Sequence, residues 1–367
     1  MTHILTRWYR KYFSDPEGII LAVLLVCGFA VIIFLGDMLA PVLASVVIAY
    51  LLEGLISQLE LHRFHRLTAV LTVFVPFLFL VLVIVLGLFP LLVGQVTQLV
   101  HELPNMIARG QQMLQRLPEM YPALVTERQV DELMTSLRSS VGLLGQNVVS
   151  ISLASLSGVF VLAIYLILVP VLVFFFLKDK VKLINWMTAI LPRERGLATR
   201  VWHEMDQQIG NYVRGKFVEI LIVGLVSYVV FALLDLQYAM LLGALVGVSV
   251  LIPYIGAAVV TLPVLLIAYF QWGFENQFFY IAVAYGIIQA LDGNLLVPWL
   301  FSEAVNLHPI AIIMAVLVFG GIWGLWGVFF AIPLATLVKA VINAWPRSAD
   351  SDTRPEEPPA RVASGGN

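Results

Sequence analysis

The stretch Ile287-Ile288-Gln289-Ala290-Leu291-Asp292-Gly293-Asn294-Leu295-Leu296-Val297 sets one carboxylate in an apolar run, and its surroundings decide the fold. Residues 217–338 contain no lysine and no arginine, yet keep five acids: Glu219, Asp235, Glu275, Asp292 and Glu303. Nearly everything else there is apolar or small. A carboxylate in hydrocarbon costs about 2.5–3.5 kcal/mol on insertion scales, so it ordinarily faces a polar cavity or pathway. The stretch reads as membrane interior and Asp292 as part of a transport route.

Composition agrees. A hydrophobic fraction of 60%, 12% charged residues and a mean hydropathy of +0.95 lie outside the range of soluble domains. The net charge of −2 decides little, because in such chains placement matters more than total. Cys27 is the sole cysteine, lies in an apolar run and reads as inert packing. Enzyme signatures are missing. His203-Glu204 has Gln207 where a zinc helix needs its second histidine, and no glycine-rich phosphate loop precedes a lysine. The chain reads as a non-enzyme with no cofactor, no metal site and no nucleic-acid partner.

The apolar runs are residues 18–35, 38–52, 67–92, 149–177, 217–234, 240–270, 278–300 and 309–345. A helix needs roughly 20 residues to cross the bilayer core. The second run is short for this and predicts a tight hairpin with the first. The run 240–270 is interrupted by Pro253-Tyr254-Ile255-Gly256, and 309–345 by Gly320-Gly321, leaving halves of re-entrant length. The fold class is thus an all-α polytopic membrane protein of about eight transmembrane helices, broken or re-entrant hairpins included.

Basic residues set the orientation. Arg7, Arg10 and Lys11 precede the first run and read as a cytoplasmic N-terminus, residues 1–17. The membrane helices of 18–93 follow. Residues 94–148 form an extramembrane helical region of mixed charge with an apolar stripe at Val130, Leu133, Leu137, Val141, Leu144 and Val148, an amphipathic helix expected on the periplasmic side. After a membrane helix at 149–177, residues 178–216 carry eight bases, from Lys178 to Arg214 and Lys216, and a stripe at Leu197, Val201, Met205, Ile209 and Tyr212. That region reads as cytoplasmic and amphipathic. Residues 217–345 are the C-terminal membrane core, and 346–367 a disordered cytoplasmic tail. Both termini are expected inside.

Gln289 and Asp292 share a helix face. Gly293 can loosen the helix and bring Asn294 and freed carbonyls toward the carboxylate, an oxygen-rich setting for sodium or a proton. The rival reading is a protonated aspartate bonded to a neighbouring helix. Pro253, Tyr254 and Gly256 form either a broken-helix site or an aqueous turn. Glu303, Asn306, His308 and Pro309, after Pro298, form either a pathway link or a helix-entry loop. Small residues at 320, 324 and 327 permit close packing or a hinge at Gly320 and Gly321.

Several of these motifs stand in an order that resembles the autoinducer-2 exporter family. They are Gln208-Ile209-Gly210-Asn211-Tyr212-Val213-Arg214-Gly215-Lys216, Val250-Leu251-Ile252-Pro253-Tyr254-Ile255-Gly256-Ala257, Asp292-Gly293-Asn294-Leu295-Leu296-Val297-Pro298, Glu303-Ala304-Val305-Asn306-Leu307-His308-Pro309, Gly320-Gly321-Ile322-Trp323-Gly324 and Ala331-Ile332-Pro333-Leu334. The chain is most similar to the PerM-type permease subgroup. The resemblance implies a bacterial inner-membrane protein, multi-pass and homo-oligomeric, with pentamers among the states. Members are described as exporters of autoinducer-2, as sodium/proton antiporters or as permeases. The expected function is a secondary transporter of a small hydrophilic solute or monovalent cation, coupled to protons or sodium. A passive pore and a non-transporting membrane scaffold are the alternatives.

Overall fold

A computed structural model describes residues 16–120, 155–192, 196–253, 255–301 and 307–344, and every regular element among them is helical. The stripe from Val130 to Val148, Tyr254, Glu303, Asn306 and the tail lie outside the described residues.

Helix α1 spans Pro16–Leu61. The hairpin expected between its two apolar runs does not form. Gly36 and Asp37 stay helical, since one glycine weakens a helix by about 1 kcal/mol without ending it. At about 69 Å, α1 exceeds the bilayer core. A turn with Arg63 at φ 65° leads to α2, Arg66–Val83. One π turn, Ile84–Leu88, joins it to α3, Phe89–Met120. Then come α4, Ser155–Lys178, and the short α5, Lys180–Ile190. Arg66 ties α1, α2 and α4 at one end, pairing with Glu53 at 2.9 Å and Glu60 at 3.1 Å while its Nε donates to the Leu177 carbonyl.

Helix α6, Gly196–Leu233, runs straight through the division expected after Lys216. It is the hub, packing against α1, α7, α9, α10 and α12. The elements that follow α6 are α7, Ala239–Ser249; α8, Ile255–Trp272; α9, Asn276–Leu291; a π turn, Asp292–Leu296; α10, Val297–Phe301; α11, Pro309–Phe329; and α12, Ala331–Ala344. Glycines bring α6 and α7 together. A Cβ at Gly247 would lie 2.8 Å from the Gly224 Cα, and one at Gly243 would lie 2.8 Å from the Tyr228 backbone. Such close backbone approach is how helices associate where water supplies no drive. Val223, Phe231, Leu242, Val246, Val264 and Ile281 fill the core around this contact.

Two hairpins complete the C-terminal half. The α7–α8 hairpin turns where Pro253 and Gly256 were expected to break the run. A Cβ at Gly256 would sit 1.7 Å from the Ser249 carbonyl oxygen, so a side chain there forces the turn apart. The second break is displaced from expectation. Gly320 and Gly321 remain helical, and the kink falls at Trp323 and Gly324, the latter at φ 57°. A left-handed residue is needed to reverse the chain, and Gly324 supplies it. Gly327 then backs onto the Phe319 carbonyl, where a Cβ would be 1.8 Å away.

Among the described residues, seven helical segments are long and apolar enough to cross a membrane, with shorter apolar helices at Ala163–Lys178, Ala239–Ser249 and Ala331–Asn343. Large apolar side chains such as Phe34, Trp299 and Leu325 point outward and exposed. Only a lipid surround makes such a surface stable. The chain is an all-α, multi-pass membrane protein.

Candidate functional site

The buried face of α6 starts as the amphipathic stripe Leu197, Val201 and Met205 and continues unbroken through Tyr212, Lys216, Glu219, Val223, Ser227 and Phe231. With half-buried Ile209 between Met205 and Tyr212, steps of three and four residues carry it around the 3.6-residue turn. Two charges therefore enter the bundle. The side chains of Lys216 and Glu219 are 5% and 2% exposed, too little for bulk water to solvate either, and they pair at 2.7 Å.

Lys216 has two further contacts. Its Nζ donates to the Val250 carbonyl at 2.8 Å and lies 5.3 Å from the Phe301 ring centroid. One turn earlier, the Tyr212 hydroxyl donates to the Phe329 carbonyl at 3.0 Å, and its ring packs 5.8 Å from that of Phe301. Val250 and Phe329 stand where α7 and α11 end, with carbonyls that have no partner further along their own helices. Side chains of α6 thus hold the tip of the α7–α8 hairpin and the junction between α11 and α12.

Asp292 opens the π turn that separates α9 from α10. Such turns insert an extra residue into a helix and recur at functional sites. Asp292 is half-buried. Its Oδ1 is enclosed and makes no hydrogen bond among the described residues, and Gln289 Nε2 is in the same condition. Asp292 lies within Coulombic range of both Lys216 and Glu219. Helix rise explains the meeting. Asp292 lies about 24 Å along α9 from Asn276, and Lys216 and Glu219 lie about 26 and 21 Å back from Leu233. All three lie at a similar level along the bundle. The site holds two carboxylates and one ammonium.

The other predicted residues are placed differently. The Asn294 amide donates to the Ala290 carbonyl of its own helix at 2.9 Å and is exposed. His308 caps α11, its Nδ1 accepting from the Ile310 backbone N–H at 3.3 Å, with Pro309 in the first turn. Pro298 lies in α10. Gly293 sits inside the π turn with open space around it. Sequence reasoning missed Tyr212, Lys216 and Glu219 as site residues. Extending the 3/4-spaced stripe past Tyr212 would have reached both charges. No group of three or more His, Cys, Asp or Glu that could hold a metal occurs among the described residues.

Comparison with known proteins adds a family. The family of AI-2E transporters matches residues 20–347. The chain is 50% identical over 346 residues to PerM of Escherichia coli K12, named as a permease with no solute given, covering 94% of this chain and 98% of that one. It is 27% identical to the transport protein YueF of Bacillus subtilis, over 84% of each chain. With the AI-2 transport protein TqsA of Escherichia coli K12 it shares 23% identity, over 88% of this chain and 89% of that one.

Proposed function

The chain belongs to the AI-2E family of transporters, and on that footing we propose that it is a secondary transporter, driven by a proton or sodium ion that visits Asp292. One observation carries the reading. Lys216 is paired with Glu219 at 2.7 Å and donates to the Val250 carbonyl at 2.8 Å, so the second carboxylate, Asp292, has no cation of its own among the described residues. An uncompensated carboxylate at this depth calls for one positive charge, which a proton or a monovalent cation supplies.

The arrangement also suggests how the ion is coupled to motion. With Asp292 neutralised, Lys216 stays with Glu219 and keeps its bond to the α7–α8 tip. Once the ion leaves, Asp292 competes for the same ammonium, and the bond to Val250 weakens. Ion occupancy is then read out as the position of a hairpin, the kind of discontinuous element that gates transporters of other folds. The reaction is vectorial and changes no covalent bond. The cargo is a small hydrophilic solute or a monovalent cation. AI-2, the solute in the name of the relative TqsA, is the first to screen. The setting is the bacterial inner membrane, with both termini cytoplasmic and the chain assembled as a homo-oligomer.

The test is flux in proteoliposomes under imposed proton and sodium gradients. Wild-type protein should move solute or cation against its gradient, and Asp292→Asn should abolish this coupled flux while inserting and purifying normally. Undiminished uphill transport by Asp292→Asn would overturn the role of Asp292. Ohmic single-channel current with no uphill flux would make the protein a pore, and absence of any flux would favour a scaffold.

A further inference from the structure

A second polar site lies at the opposite end of the bundle from the buried charges. A cleft of about 480 Å³ opens between α3, the α6–α7 turn and the end of α8. Gln95, Gln98, Glu102, Met106 and Arg109 line it from α3. Their spacing of three, four, four and three residues puts them on one helical face. Tyr238 and Phe270 line the other side.

The walls are fixed. Gln95 Oε1 accepts from the Leu241 backbone N–H at 2.8 Å, pinning α3 to α7. Gln271 Oε1 accepts from the Gln237 N–H at 2.8 Å, and its Nε2 donates to the Asp235 carbonyl at 2.8 Å. Those bonds hold the turn in which Asp235 and Tyr238 take φ of 55° and 58°. A bulky residue in that region is strained and persists only where its surroundings over-determine it.

The charges, by contrast, are loosely held. Glu102 Oε2 accepts from the Asn105 amide at 3.2 Å, while Glu102 and Arg109 approach to only 3.9 Å and keep 37% and 59% side-chain exposure, so neither charge is satisfied by the other. Gln98 and Gln237 make no side-chain hydrogen bond among the described residues. Burial, and then the nearby Glu102 carboxylate, raise the Tyr238 phenol above its ordinary range, so it stays a neutral donor. The lining carries one positive and one negative charge a few ångströms apart, with free amides and an aromatic wall beside them. A ligand of net charge leaves one of the pair opposed. A neutral ligand with its own adjacent opposite charges satisfies both.

We propose that this cleft binds a small zwitterion of the α-amino-acid type, its carboxylate on Arg109, its ammonium on Glu102 and its side chain against Phe270 and the free amides. The inference goes beyond the ion site at Asp292 and needs no transport to be tested. Binding at equilibrium decides it, so a failure here leaves the Asp292 reading standing, and the reverse holds.

The experiment is calorimetric titration of the full chain in lipid nanodiscs with L-glutamine, propionate, propylamine and the polyol D-glucitol. L-Glutamine should bind saturably and the two singly charged probes far more weakly. Glu102→Gln and Arg109→Gln should each weaken L-glutamine binding about tenfold, the worth of one charged hydrogen bond. The exchanged pair, Glu102→Arg with Arg109→Glu, should recover part of the affinity, which separates a charge requirement from misfolding. D-Glucitol binding as tightly as L-glutamine and insensitive to these changes would overturn the proposal, as would no heat with L-glutamine at millimolar concentration.

Discussion

Replacing Lys216 by methionine removes the only cation among the described residues in range of Glu219 and Asp292 and leaves the Val250 carbonyl without its donor. Breaking a buried pair from one side costs about 3–5 kcal/mol, because the surviving charge stays desolvated and alone. Lys216→Met should lower stability by that order in denaturant titration of the detergent-solubilised protein. Lys216→Met combined with Glu219→Gln should restore much of it. If the double variant is as unstable as the sum of the two singles, the pair does not act as a unit. At this scale the sequence was half legible. Asp292 stood out because its neighbours are all apolar or small. Lys216 did not, because in the sequence it stands with seven other bases that together read as an orientation signal. Spacing of the buried stripe decides which side of α6 a charge occupies, and local composition does not.

Glycines at hairpin tips make a second, element-scale test. A Cβ at Gly256 or Gly327 would meet backbone oxygen at 1.7 or 1.8 Å, whereas at Gly286 and Gly321 it meets nothing within 4 Å. Backbone cannot move aside as a flexible side chain can. Gly256→Ala and Gly327→Ala should therefore lower the thermal midpoint and the yield of monodisperse protein. Gly286→Ala and Gly321→Ala should leave both unchanged or raise the midpoint slightly, since alanine gains about 1 kcal/mol over glycine inside a helix. Equal effects at all four positions would mean that the hairpins are not closed as described. The α7–α8 turn was readable because proline and glycine both mark it. The α11 break was misplaced by a few residues, for among Gly320, Gly321, Gly324 and Gly327 only the tertiary fold selects which one takes positive φ. The division at Gly36-Asp37 failed for a related reason: a glycine with no following proline permits a turn without requiring one.

At the scale of the whole molecule, the two polar sites lie at different depths, and which compartment each serves follows from orientation. Residues 178–216 hold eight bases, while the links around Asp235 and Glu275 hold acids and no base. The positive-inside rule predicts α5 in the cytoplasm and the cleft beside Tyr238 facing out. The helix ends agree with a common outer level for Leu233 and Asn276, from which the buried charges hang roughly 21–26 Å inward. Cys27 is the sole cysteine, so a Cys27→Ser background permits single-site labelling. Gln237→Cys, exposed beside the cleft, should react with a membrane-impermeant maleimide in intact spheroplasts. Lys182→Cys, whose native side chain is 84% exposed on α5, should react only after permeabilisation. The reverse pattern would invert the protein and place the amino-acid cleft in the cytoplasm. Labelling of both in intact cells would mean that α6 does not carry the chain across the bilayer, and a common depth for Lys216, Glu219 and Asp292 would then say nothing about an ion path.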